Sequence, residues 1–198
     1  QQGTDVLIRT MQNEFNIPIH HYLEINFQGF KGLVDAIGGV RICTQYPSRD
    51  KHTGFYMPEG SNNLNGVRSL AFARSRFFET NVDGNWNIDG SSDIGRGRRQ
   101  RQFIASMLNT ALTRITSNPL TAADAFAGAT QALITDANLD LTEFAKKMRP
   151  AAKGDISRYS LAVYSDSVNG DSVLRLDKDS AAVLAFFGGI GPAPAPAD

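Results

Sequence analysis

Cysteine is almost missing from this 198-residue chain, with Cys43 alone. An intrachain disulfide and a cysteine-based zinc site are both excluded. Histidine is nearly as scarce, at His20, His21 and His52, and none stands in a His-x-x-x-His spacing. No Ser/His/Asp set and no Gly-x-Ser-x-Gly turn can be read. No apolar run reaches the roughly 18 residues of a membrane-spanning helix. Net charge is lacking too, because 20 Lys and Arg balance 20 Asp and Glu. That balance removes the basic excess of a general nucleic-acid binder, so nucleic acid is not an expected partner. The Gly-Gly pairs at 38–39 and 188–189 lack the Lys-Ser/Thr of a phosphate loop and read as turns. The start, Gln1-Gln2-Gly3-Thr4-Asp5, is neither an initiator Met nor a secretory leader, and reads as a cut inside a longer protein. The Pro/Ala run at 191–198 reads as a linker, leaving 1–190 as one domain.

What is present is periodicity. Apolar residues make up 41%, enough for a core. Leu7, Ile8, Met11 and Phe15 predict a helix capped by Thr4 and stopped by Pro18. Alternation predicts a strand over 21–27. Phe30, Leu33, Val34 and Ile37 predict a helix over 29–37, then a strand from Val40 to Cys43. In that strand the thiol reads as a small buried hydrophobe. Residues 44–66 are rich in turn signals, 67–74 read as a short helix, and 77–92 read as a mobile polar loop. Asp93 is an expected N-cap for the longest helix, whose stripe runs through Phe103, Ile104, Met107, Leu108, Ala111, Leu112 and Ile115. Further helices are predicted over 122–134, 141–148 and 181–187, the last capped by Asp179, with a strand over 157–164. Helices alternating with strands predict an α/β or α+β layered domain.

The densest chemistry lies between Arg68 and Arg101, which span seven arginines and no lysine. Arginine presents a planar fork matched to phosphate or carboxylate oxygens. Arg96, Arg99, Gln100 and Phe103 share helical spacing near a helix N-terminus, where free N–H groups and the dipole favour anions. Arg74 and Arg76 stand two apart just before the polar segment. Two readings fit: a solvated basic face with ordinary surface arginines, or a built anion site. The stripe below reads either as core or as a ligand wall. An anionic head with a greasy tail would suit a face carrying Arg96 and Gln100 above Phe103 and Met107.

Three stretches resemble one family. Tyr22–Val40 contains Phe-x-x-Leu-Val-Asp-x-Ile-Gly-Gly-Val, residues 64–76 run Leu-Asn-Gly through Ala-Arg-Ser-Arg, and Asp93 opens Asp-x-x-Arg-x-x-Arg-Gln. Their order and separation resemble the catalytic domain of the LytR-CpsA-Psr family, cell-wall glycopolymer ligases, over about residues 5–165. The resemblance implies a layered α-β-α domain, with a central mixed sheet and an apolar tunnel for a lipid tail. It implies a magnesium-dependent phosphotransferase at the outer face of the plasma membrane, held by an N-terminal membrane helix. The expected partners are a polyprenyl-pyrophosphate-linked glycan and a peptidoglycan acceptor. Position by position, Arg74, Arg76, Arg96 and Gln100 would hold the pyrophosphate, with Arg99 as neighbour. Asp93 would orient them or assist proton transfer, as part of a catalytic set with Arg74 and Arg96. Phe27, Phe30, Phe103 and Met107 would line the tunnel. The family's Arg-Ser-Asp-Thr and Ser-x-Pro-Arg-Asp segments, which supply magnesium ligands, do not occur here. No metal ligand is therefore expected in this chain, and residues 1–198 alone are expected to be inactive. The alternatives are a polyprenyl-phosphate-binding module or a pyrophosphatase without transfer.

Overall fold

A computed structural model describes residues 2–90, 92–117, 133–148, 150, 157 and 159–196. In chain order the elements are α1 (Gln2–Phe15), β1 (Leu23–Ile25), α2 (Phe27–Ala36), β2 (Val40–Thr44), β3 (Ser48–Asp50), β4 (Phe55–Met57), β5 (Gly60–Leu64) and α3 (Gly66–Arg74). They continue with β6 (Glu79–Val82), β7 (Asn85–Ile88), α4 (Ser92–Ser117), β8 (Leu133–Thr135), α5 (Leu141–Lys147), β9 (Val163–Val168), β10 (Asp171–Leu176) and α6 (Ala181–Phe187). This mixture is the α+β class expected from the alternating periods. Two compact units divide the chain: Leu23–Asp155, and Gln1–Tyr22 with Ile156–Asp198.

The larger unit is built by local signals that the sequence states openly. Asn26 caps α2 by accepting a hydrogen bond from the Gly29 N–H at 2.8 Å. Gly38 and Gly39, at φ +74° and +91°, then turn the chain from α2 into β2. β2 pairs antiparallel with β5, from Val40 opposite Leu64 to Thr44 opposite Gly60. Strand parity sends Val40 and Ile42 into the core and leaves Arg41 and Cys43 outside. Cys43 is therefore exposed, which corrects the expectation of a buried thiol. β3 lies in a four-stranded antiparallel sheet of order β4-β3-β6-β7. The last two strands form a hairpin over Asp83-Gly84, both at positive φ, as a tight primed turn requires. This hairpin replaces the mobile loop expected over 77–92; its Asp-Gly signal was there to be read.

Among the described residues, ten side chains form the core, led by Phe72, Phe103, Ile42, Met57 and Leu64. Phe55, Phe72, Phe78 and Phe103 pack as neighbouring rings at 5.5–6.5 Å. α2 and α3 meet at Gly66, where an added Cβ would lie 2.4 Å from the Lys31 carbonyl oxygen. The Gly66 N–H donates to the Asp35 carboxylate at 2.7 Å, tying the two helices together. Gly66→Ala is expected to cost about 1–3 kcal/mol, because backbone rather than a flexible side chain must move. Thermal unfolding of the variant checks this.

The smaller unit holds α1, a β9–β10 hairpin turned by Asn169-Gly170, and α6. Tyr159 packs against Phe186 and Phe187. The late strand lies at Val163–Val168 rather than 157–164, and Asp177 rather than Asp179 caps the turn before α6. Most of the helix expected over 122–134 lies outside the described residues, and Leu133 begins a strand. No described helix is long and apolar enough to cross a membrane.

Candidate functional site: an amphipathic cleft beside the arginine cluster

The larger unit carries a cleft of about 240 Å³ among β1, α2, α3 and α4. Ile25, Phe27, Phe30, Leu70, Phe103 and Ile104 give it an apolar lining, and Arg74, Ala73 and Gln100 complete it. Helical spacing explains the geometry. Leu70, Ala73 and Arg74 lie three and four apart on α3, and Gln100, Phe103 and Ile104 do so on α4. The Arg74 guanidinium stacks over the Phe27 ring at 4.7 Å. The Gln100 amide donates to the Ala73 carbonyl at 3.1 Å, bridging α4 to the end of α3. Arg74, Gln100, Phe27, Phe30 and Phe103 thus meet at one place. Met107 packs against the core instead.

The other candidates are not among the residues that line the cleft. Arg76 is exposed and Arg96 is half-buried near the start of α4. α4 begins at Ser92, so Asp93 stands inside its first turn rather than at the cap, and its side chain lies outside the described residues. Arg99 is 7% exposed. Its Nη1 donates to Asp89 at 2.8 Å and its Nη2 to the Ser75 carbonyl at 2.7 Å. The same guanidinium lies 4.5 Å over the Phe78 ring. Burial pulls its pKa below the ordinary arginine value while Asp89 opposes the shift, and the group stays charged. Arg99 therefore faces protein, not the cleft. Arg68 donates to the Tyr56 carbonyl, and Arg98 and Arg101 are exposed.

Sequence reasoning missed Asp50, Ser75 and Asp89. Asp50 is fully buried. Its Oδ1 accepts from the His52 and Thr53 N–H groups at 2.8 and 3.2 Å. Its Oδ2 accepts from the Ser75 hydroxyl at 2.6 Å and the Phe77 N–H at 3.1 Å. The turn half of this network was legible as an aspartate two and three residues before its donors. The half that reaches Ser75 was not, because it closes over 25 residues.

Burial alone would raise the Asp50 pKa, but its four hydrogen bonds outweigh that and hold it below the usual carboxylate range. A depressed folded value means stability that is present above the unfolded pKa and lost as pH falls through the folded one. Asp50→Asn is expected to flatten the fall in melting temperature between about pH 5 and pH 3, where an unfolded aspartate titrates near 3.9. Melting curves of both proteins across that range check the sign.

Among the described residues, no group of three His, Cys, Asp or Glu could hold a metal ion.

The LytR_cpsA_psr family model matches residues 1–185. The chain belongs to the LytR_cpsA_psr family. It is 29% identical, over 99% of its own length and 37% of the relative's, to the cell wall biosynthesis protein LcpA of Corynebacterium glutamicum. It is 35% identical, over 54% of its length and 31% of the relative's, to a polyisoprenyl-teichoic acid–peptidoglycan teichoic acid transferase, TagU, of Bacillus anthracis. The chain thus spans about a third of the length of these relatives. In structure it is similar to a LytR-Csp2A-Psr enzyme from Actinomyces oris, with TM-score 0.70 at 23% identity, covering 86% of this chain and 64% of that one. TagV of B. subtilis gives 0.69 at 21% identity, over 95% and 71%. These likenesses show that the fold is that of the LytR_cpsA_psr domain.

Proposed function

We propose that the protein moves a glycopolymer from a polyprenyl-pyrophosphate carrier to a peptidoglycan hydroxyl, as a phosphodiester. One observation carries the reading: a cleft apolar along its lining, with Arg74 and Gln100 side by side in it. A prenyl pyrophosphate has the same polarity, an oily chain ending in a multiply charged head. Phe27, Phe30 and Phe103 would face the chain, with Met107 behind them. Arg74, Arg76 and Arg96 would neutralise the pyrophosphate oxygens and Gln100 would hydrogen-bond to them; Arg99, its Nη1 and Nη2 groups engaged within the protein, takes a different part.

The acceptor oxygen attacks the phosphorus next to the sugar. The bridging P–O bond breaks, prenyl monophosphate leaves with the bond's electrons, and the acceptor's proton passes to a base, a role for Asp93. Such a reaction needs charge spread over oxygens more than covalent work by the protein. Magnesium would add charge neutralisation, but its acidic ligands would come from outside the described residues, and the steps above use none. A lipid carrier and peptidoglycan meet at the outer face of the plasma membrane, so the reaction belongs in the cell envelope.

The test supplies the complete protein with a prenyl-pyrophosphate-linked glycan and peptidoglycan. Equal amounts of phosphodiester-linked glycan and released prenyl monophosphate are expected. Binding without release would make it a carrier-binding module instead. Release without attachment would make it a pyrophosphatase.

A further inference from the structure

Ser75 sits between two exposed arginines, Arg74 and Arg76, yet is itself fully buried. Its three polar groups are all engaged. The hydroxyl donates to Asp50 of β3 at 2.6 Å, the carbonyl accepts from Arg99 of α4 at 2.7 Å, and the N–H donates to the Phe72 carbonyl at 3.3 Å. The pinning continues on both sides. The Ala73 carbonyl accepts from Gln100, and the Phe77 N–H donates to Asp50. Residues 73, 75 and 77 are thus held from two directions, while 74 and 76 alternate outward from them. Ser75 is extended in ψ, at 124°, so its neighbours project away from the buried side.

Two cations two residues apart repel each other, and long arginine side chains have many rotamers. Binding one anion with both costs less if the backbone between them is already set. The two groups that set it are a buried carboxylate and a buried guanidinium, neither of which lines the cleft. Holding such groups inside the protein is expensive unless they are hydrogen-bonded, and three of their bonds, from the Ser75 hydroxyl and the Phe77 N–H to Asp50 and from Arg99 to the Ser75 carbonyl, end on the segment that carries the arginines. Asp89 anchors Arg99 from the opposite side at 2.8 Å, and Phe78 carries its flat face.

We infer that Asp50 and Arg99 are positioning residues that act through Ser75, locking the Ala73–Phe77 segment so that Arg74 and Arg76 meet a single anion together. This rests on the reading of the cleft as a prenyl-pyrophosphate site. It adds a division of labour that spacing alone does not give. Of the neighbours Arg99 and Gln100, the first builds the site from behind and the second stands in it.

The experiment measures binding of geranylgeranyl pyrophosphate and of geranylgeraniol, which lacks the charged head, to the complete protein. The proteins compared are wild type, Arg74→Ala, Ser75→Ala and Arg99→Lys. Ser75→Ala removes one hydroxyl, and Arg99→Lys keeps the charge but cannot span Ser75 and Asp89 together. Both are expected to weaken the pyrophosphate by about tenfold or more while leaving the alcohol within about twofold. A generally loosened fold would weaken both probes alike, and that result overturns the inference. So does unchanged pyrophosphate affinity in Ser75→Ala and Arg99→Lys where Arg74→Ala has lost it. If Arg74→Ala also binds like wild type, the cleft reading itself falls. Should Ser75→Ala not yield folded protein, Arg99→Lys decides on the same two probes.

Discussion

Arg74→Ala in the complete protein is expected to slow glycan transfer by about 10²–10³-fold, the usual cost of removing one preorganised donor from developing negative charge. Arg74 is the cluster's arginine that lines the cleft, and its guanidinium lies 4.7 Å over the Phe27 ring. The same residue closes α3, where a cation is worth about 0.3–1 kcal/mol against the helix dipole. The expected rate loss corresponds to roughly 3–4 kcal/mol of barrier, so lost stability does not account for it. Arg74→Lys is expected to recover little, because an ammonium has neither the fork nor the flat face for stacking. Initial rates of prenyl monophosphate release, read beside a melting curve, check this. A rate unchanged in a folded Arg74→Ala protein removes the residue from the site.

Phe103→Ala should produce the largest loss of stability, about 3–5 kcal/mol. That is a large share of the roughly 5–15 kcal/mol that holds an ordinary domain together. Phe103 is 1% exposed and packs its ring 5.3 Å from Phe30 and 6.5 Å from Phe72. It carries α4 onto the core and also walls the cleft, so truncation opens a void that neither side can fill. Its neighbour Ile104 lines the same cleft but is 50% exposed. Ile104→Ala is expected to cost only about 1 kcal/mol, since half its surface stays in water either way. Denaturant unfolding of the two variants compares them. Equal losses would mean that α4 presents a different face to the core.

The asymmetry between Phe103 and Ile104 shows how far the chain's pattern reaches. Both lie on the apolar stripe, and periodicity assigns them the same weight. Only the packing of α4 across Phe30 and Phe72 separates them. The Gly38-Gly39 turn and the α3 helix were readable because each depends on residues a few positions apart. The Asp83-Gly84 hairpin was equally local, and was lost because polar residues around it read as loop. Cys43 shows the opposite difficulty: alternation announced the strand but not which side of it faces inward.

The family, the α+β class and the concentration of arginine at one place follow from the order of residues alone. Each rests on short-range patterning or on motifs that survive as text. The roles within the cluster do not. Helical spacing groups Arg96, Arg99, Gln100 and Phe103 on one face, but it cannot say that Arg99 turns inward to the Ser75 carbonyl, 24 residues away. Nor can it say that a buried Asp50 grips the other side of the same serine. Those partners are chosen by the closing of the β3 sheet and α4 around one short segment. A buried charge finds its counterpart through space, and only the tertiary fold determines which group is near enough to satisfy it.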